Sequence, residues 1–339
     1  MLPLTTFLVA TLIPAPVGEP SATAVVIHLQ YAVRKFHPLS ITQKATDLFL
    51  ILYKRDLQQE GFTLKRIVTI QDISCFGKCS LTVALPIISA CGVEACPIPT
   101  AVLSTHTGGF KGFTFRDLTQ EITPVANHWK TLDVNFDGIY TGYLGSKEQL
   151  KIVSDFIDDF KKENTLVFID PVMGDHGKLY TGFDEDFAKE MVSLVKKADV
   201  IAPNLTEVSY LLGREYREDY TDDEIKELLR ELSLLGAKTV IITGVRHGDK
   251  LGVFAYESEK DEFSRYFRER INDTFHGTGD VFASVCSSAL VKGFSVKDAV
   301  ECATDFVVEC ILHTAPDKEN HWYSVKFEEC IPSLVKRMF

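Results

Sequence analysis

From Lys65 onward, short apolar runs alternate with amphipathic stretches, and this alternation limits the fold more than any other feature of the chain. Residues 66–70, 93–98, 136–140, 166–169, 200–202 and 239–243 read as buried strands. Between them, apolar spacing predicts helices at 81–90, 117–129, 147–161, 185–197 and 222–235. In the third of these, Leu150, Val153, Phe156, Ile157 and Phe160 fall on one helical face. Such alternation predicts a mainly parallel sheet with helices on both faces. Residues 251–256 and 263–268 read as a late antiparallel pair, and helices at 280–292, 296–313 and 324–338 close the chain. Residues 65–339 therefore read as one α/β domain.

In open sheets of this kind a ligand sits beyond the C-terminal strand ends. The polar punctuation is concentrated there. Asp72, the loop 104–112, Tyr143, Asp170, Asn204, Thr243 and the run 277–280 each follow an expected strand or open an expected helix. This convergence predicts one composite site.

Composition removes several functional classes. The chain has 339 residues and a net charge of −11, and no basic block with interleaved aromatics, so nucleic acid is not an expected partner. Eight cysteines are scattered, and the pair Cys75/Cys79 lacks a second pair or a His cluster. Neither a zinc site at that pair nor a disulfide framework is expected, and the thiols fit a reducing, cytoplasmic setting. Residues 1–64 differ from the rest, with five basic and four acidic side chains. Their apolar run 2–17 is broken by Pro14 and Pro16, has no basic residue before it, and is too short to cross a bilayer. No membrane association is expected. Residues 1–64 read as an extension of unassigned role or as the product of a mis-assigned translation start.

The run Asn272-Asp273-Thr274-Phe275-His276-Gly277-Thr278-Gly279-Asp280 carries the most chemistry. Two glycines let backbone N–H groups converge, and a helix opening at Asp280 directs its positive dipole end to the same spot. A transferring phosphoryl group suits that geometry, and the carboxylate can take a proton from an attacking alcohol. The plain alternative is a Gly-rich turn capped by Asp. The chain contains no Gly-x-x-x-x-Gly-Lys-Ser/Thr, no Gly-x-Gly-x-x-Gly after the first strand and no Gly-x-Ser-x-Gly. P-loop, dinucleotide and hydrolase readings lose their support.

Four spaced motifs then become recognisable: Gly142-Tyr143-Leu144-Gly145-Ser146, Asp170-Pro171-Val172-Met173-Gly174-Asp175, Ile201-Ala202-Pro203-Asn204-Leu205-Thr206-Glu207 and Gly277-Thr278-Gly279-Asp280. With Ile70-Gln71 and Ser104-Thr105-His106-Thr107-Gly108, they resemble the pyridoxal kinase branch of the ribokinase-like superfamily over residues 65 to about 313. The resemblance implies a three-layer α/β/α fold and ATP-dependent phosphorylation of the 5′-hydroxymethyl group of a vitamin B6 pyridine. It implies Asp280 as catalytic base, with the N–H groups of Gly277, Thr278 and Gly279 as anion hole. Asp170, Asp175, Asn204 and Glu207 match the edge around the nucleotide phosphates and cations, with Asp170 and Glu207 toward Mg2+, Glu207 through a water. Asp170 and Thr243 match positions near a monovalent cation such as K+. Residues 175–183 match a mobile loop over ATP, with Tyr180 approaching the substrate. His106, Thr107 and Tyr143 match ring contacts, although a histidine satisfied by backbone is the alternative for His106. A homodimer is implied as well.

Two positions depart from the pattern. Ala202 stands where animal relatives carry Thr, which removes an oxygen ligand. Asp72 stands where known pyridoxal kinases carry a ring-contacting Ser. A carboxylate there favours a protonated ring nitrogen or a cationic substituent, as on pyridoxamine, unless it only caps the following turn. Competing readings are a hydroxymethylpyrimidine or sugar kinase of the same fold, and a ribokinase-like lyase or non-catalytic metabolite-binding protein.

Overall fold

The computed structural model describes residues 64–271 and 273–339, so the extension expected at 1–64 lies, apart from Leu64, outside the described residues. In chain order the strands are β1 (Arg66–Phe76), β2 (Glu94–Thr105), β3 (Phe115–Asp117), β4 (Gly138–Thr141), β5 (Leu166–Ile169), β6 (Gly174–Asp175), β7 (Lys178–Leu179), β8 (Val200–Ile201), β9 (Thr239–His247), β10 (Lys250–Glu257) and β11 (Glu262–Glu269). All but β6 and β7 join one sheet in the order β11-β10-β9-β8-β5-β4-β1-β2-β3. The inner pairs are parallel, and β3, β10 and β11 run antiparallel at the edges. The chain order reverses beside β1, which has β2 on one side and β4 on the other. That is a topological switch point, where sheets of this class leave a crevice.

The helices are α1 (Leu81–Ala90), α2 (Thr119–Thr131), α3 (Lys147–Phe160), α4 (Glu185–Val195), α5 (Leu205–Leu212), α6 (Asp222–Ser233), α7 (Thr278–Val291), α8 (Val296–Thr314) and α9 (Phe327–Met338). Several start where the sequence supplies a cap. Ser146, Asp184 and Ser295 accept from backbone N–H groups of the first turns of α3, α4 and α8, and Thr221 forms a capping box with Glu224 at α6. Ile122, Val153, Met191, Val208 and Leu229 of α2 to α6 share one core. Ile87, Val285, Phe306 and Leu334 of α1 and α7 to α9 share the other. The sheet lies between the two helical layers, as expected.

Four differences from the expected elements have physical causes. Strand β1 continues six residues past Ile70, because polar Asp72 and Ser74 ended the apolar run while pairing with β2 persisted. The eight-residue helix α5 is too short to show a period. The stretch read as a loop from 175 holds a tight hairpin, with His176 and Gly177 at φ 49° and 75°. Helix α7 opens at Thr278, two residues before Asp280.

Candidate active site

A cleft of about 670 Å3 opens at the C-terminal ends of the parallel strands. Asp72, His106, Thr107, Tyr143, Asp170, Asp175, Tyr180, Asn204, Glu207, Thr243 and residues 277–280 all border it. The structure thus gathers on one wall or another every residue selected from the sequence.

The start of α7 is built for exposure of its own backbone. Gly277, at φ 78°, is the N-cap and offers no side-chain bond. A Cβ there would lie 2.7 Å from the Lys78 carbonyl, so both conformation and space require glycine. Gly279 is different, because a Cβ on it would meet nothing within 4 Å. The first-turn N–H groups of Thr278, Gly279 and Asp280 have no partner within the helix and stand at its positive end.

Asp280 does not cap this helix. Its Oδ2 accepts from the backbone N–H of Ser80 at 2.9 Å, 200 residues away in sequence. The segment after β1 folds back to bring Ser80 there, pairing it with Ile73, and both Lys78 and Ser80 take positive φ to do so. Burial pushes the Asp280 carboxyl up to about 7; the Ser80 N–H opposes this and the Asp72 charge adds to it. A carboxylate poised there suits a general base near neutral pH.

Asp72 stands where β1 leaves β4. The β1–β4 pairing ends at Ile70, and a register shift against β2 falls between Gln71 and Ile73. Asp72 is buried, accepts from Ser74 Oγ at 2.9 Å, and is raised by burial against the lowering effect of Ser80 and Ser74. Tyr143, on the loop after β4, feels both burial and Asp72, which push its hydroxyl up to about 12. Gly142 beside it leaves room for Gln71, whose Oε1 would lie 2.4 Å from an added Cβ.

Across the cleft, Asp170 at the end of β5 is buried, and no hydrogen bond or ion pair among the described residues reaches its carboxylate. Burial, then Asp280, raises it well above the ordinary range. Glu207 is raised in the same direction by burial and then by Asp170. Its oxygens accept from Met173 N–H at 3.2 Å and Asn204 N–H at 2.8 Å. Asn204 caps α5 by accepting from Thr206 and Glu207 N–H, and its Nδ2 donates to Gly174 O at 2.9 Å. The polar atoms of the Asn204 side chain are therefore engaged within the protein. Thr243 donates weakly to Pro203 O at 3.5 Å. Two buried oxygen-bearing acids that resist ionisation together form a donor set suited to a hard cation.

The remaining walls carry aromatic side chains and part of the stretch 175–183. His106 Nε2 meets Tyr323 O at 2.9 Å and its Nδ1 accepts from Gly108 N–H at 3.0 Å, so backbone satisfies both ring nitrogens. Burial, with His276 nearby, lowers its pKa and keeps it neutral. Its polar atoms offer nothing further to a ligand, and only its ring does. Thr107 is exposed at the cleft mouth. Asp175 closes the β6–β7 hairpin, which Gly177 N–H ties to Thr206 Oγ1 at 2.9 Å. Tyr180 follows the hairpin with its ring partly exposed, and desolvation of its hydroxyl, then the field of Glu207, Asp175, Asp170 and Asp280, keep that hydroxyl protonated.

Sequence reasoning did not single out Ser80, His276, Arg246, Arg268 or Arg270 as site residues, all of which border the cleft. His276 lay within a quoted run, but no local signal marks Ser80, whose N–H bonds a residue 200 positions on.

The phosphomethylpyrimidine kinase family profile matches residues 84–323. The chain belongs to this family. A Bacteroides thetaiotaomicron protein, provisionally described as a phosphomethylpyrimidine kinase and crystallised with pyridoxal, is 44% identical with a TM-score of 0.77, covering 80% of this chain and 96% of that one. The pyridoxal kinase PdxY of Aliivibrio fischeri is 28% identical, covering 74% of this chain and 89% of the relative. The hydroxymethylpyrimidine/phosphomethylpyrimidine kinase of Mycobacterium leprae is 30% identical, covering 77% and 93%. The pyridoxal kinase resemblance read from the motifs holds, and the chain is a phosphotransferase with an alcohol acceptor on the ribokinase-like fold.

Proposed function

We propose that the protein transfers the γ-phosphoryl of ATP to the 5′-hydroxymethyl group of a vitamin B6 vitamer, giving the 5′-phosphate. The observation that carries this reading is Asp280, a half-buried carboxylate drawn up to about 7 and set in the first turn of a helix whose N–H groups open on the same cleft. Asp280 takes the proton of the alcohol as its oxygen attacks phosphorus. The N–H groups of residues 277–279 receive the charge that spreads over the transferring group, which is where most catalysis of phosphoryl transfer lies. Asp170 and Glu207 would hold Mg2+, with Glu207 oriented by the backbone N–H groups that its two oxygens accept. When bound, the ion neutralises phosphate charge. Asp175, Asn204 and Thr243 shape the ATP side, with Asn204 acting through the end of α5 and Asp170 and Thr243 near a monovalent cation such as K+.

On the acceptor side, His106, Thr107, Tyr143 and Tyr180 enclose the pyridine, and Asp72 reads its protonation or a 4′-ammonium group. A homodimer in the cytoplasm belongs to the same reading, and sedimentation at twice the 38.0 kDa chain mass checks the dimer. The Mycobacterium leprae relative favours a second reading, a hydroxymethylpyrimidine acceptor.

A coupled ADP-release assay over pyridoxal, pyridoxine, pyridoxamine and hydroxymethylpyrimidine separates these. The B6 vitamers are expected to give the higher kcat/KM, and a pyrimidine preference would replace the first reading by the second. Asp72→Ser is expected to lower pyridoxamine relative to pyridoxal; an unchanged ranking removes the role given to Asp72.

A further inference from the structure

Away from the cleft, one cluster joins three side chains of the kind that hold zinc. Glu309 and His313 stand one turn apart on α8 and share a face. Cys330, on α9, is buried and directed at them, and one donor atom from each residue lies within 4.8 Å of the other two. Zinc bonds of about 2.0–2.3 Å place tetrahedral ligand atoms about 3.3–3.8 Å apart, a contraction that side-chain rotation supplies.

The surroundings orient these groups. Glu309 Oε2 accepts from Ser333 Oγ at 2.9 Å and from the Arg337 guanidinium at 3.0 Å, and Oε1 has no hydrogen bond among the described residues. Arg337 is shared with Asp305. The Cys310 thiol lies close enough to Cys330 to shift its titration, and the Cys330 thiol donates to the Lys326 carbonyl at 3.8 Å. Glu329 Oε2 is 3.8 Å from His313 Nδ1, on the exposed side of the cluster. Outer contacts of this kind fix metal-ligating side chains in place.

We propose that Glu309, His313 and Cys330 form a zinc-class metal site that clasps α9 to α8, with Glu329 beside an open fourth position. Binding displaces the Cys330 thiol proton to solvent, and the thiolate, imidazole and carboxylate become the ligands. The sulfur–nitrogen–oxygen set disfavours Mg2+ and Ca2+, which take oxygen ligands, so the site is chemically separate from the carboxylates of the cleft. Thr304, Val307, Val308 and Ile311 of α8 border the cleft, so the clasp braces one of its walls.

The test titrates the full chain, stripped with a chelator, with Zn2+ and Co2+ in excess Mg2+. Expected are one tight equivalent per chain, a thiolate-to-cobalt charge-transfer band and a Tm raised by zinc. His313 is half exposed, so His313→Ala should keep the metal-free Tm while weakening zinc at least about tenfold. Cys330→Ser should lose the charge-transfer band; if it fails to fold, His313→Ala decides alone. Absence of saturable binding in the wild type, or zinc affinity unchanged in His313→Ala, overturns the site. Zinc held at exposed Cys75 is common to all variants and cancels from the comparison.

Discussion

Two helices begin at the same cleft in opposite ways. Helix α5 closes its own end: Asn204 and Glu207 form a capping box, and their side chains fill the backbone N–H groups that the first turn leaves free. Helix α7 leaves its end open, with a left-handed glycine for a cap and no side-chain acceptor. A helix end left unfilled forfeits about 0.5–2 kcal/mol that a good cap would give. On the function proposed above, α7 is left open for the phosphoryl group, whereas the capping box of α5 holds the Glu207 carboxylate in place. On that proposal one helix end is the binding group and the other is the mount.

The largest effect should come from the open end. Asp280→Asn keeps shape and the Ser80 contact but cannot accept a proton, and kcat should fall about 10^2–10^4-fold with Tm held or raised. The pH dependence sharpens this. Because burial raises Asp280 to about 7, the active carboxylate is full above that pH and is lost as pH falls through it. The kcat/KM of the free enzyme should therefore drop about tenfold per pH unit below about 7. An acid limb centred at the ordinary carboxylate value of about 4 would mean that Asp280 is not the base.

The paired glycines give the next effect. Gly279→Ala places a methyl group in open space on a helix, so Tm should hold or rise. Activity should nonetheless fall about tenfold or more, because the methyl group occupies the approach to the N–H groups. Gly277→Ala meets the Lys78 carbonyl at positive φ, so it should lose both activity and about 1–3 kcal/mol of stability. If Gly279→Ala retains full activity, the open end of α7 is not where the phosphoryl group sits.

Much of this was legible in the sequence, for reasons that differ by residue. Helix α3 has a cap at Ser146 and five apolar positions on one face, so its boundaries could be read almost to the residue. The turn at 277–280 announced itself through its glycines. What sequence could not show was contact across long separations. The Ser80–Asp280 bond joins the loop after β1 to α7, and the Tyr323 carbonyl that satisfies His106 lies 217 positions away. The second half of β1 was hidden for another reason: buried polar Asp72 and Ser74 border the cleft, so this part of the strand lacks the pattern of one that serves only the core.

The smallest effect belongs to the closed end, and it tests the other half of the comparison. Asn204→Ala removes two accepted N–H bonds and the tie to Gly174, so unfolding in urea should show a loss of about 0.5–2 kcal/mol. Because Glu207 bonds the Asn204 backbone and not its side chain, it keeps one anchor there and another at Met173. The KM for ATP should rise as the β6–β7 hairpin loosens, while kcat falls far less than in Asp280→Asn. A variant that keeps its stability but loses kcat as severely as Asp280→Asn would place Asn204 among the reacting groups. The contrast between a mounting end and a binding end would then fail.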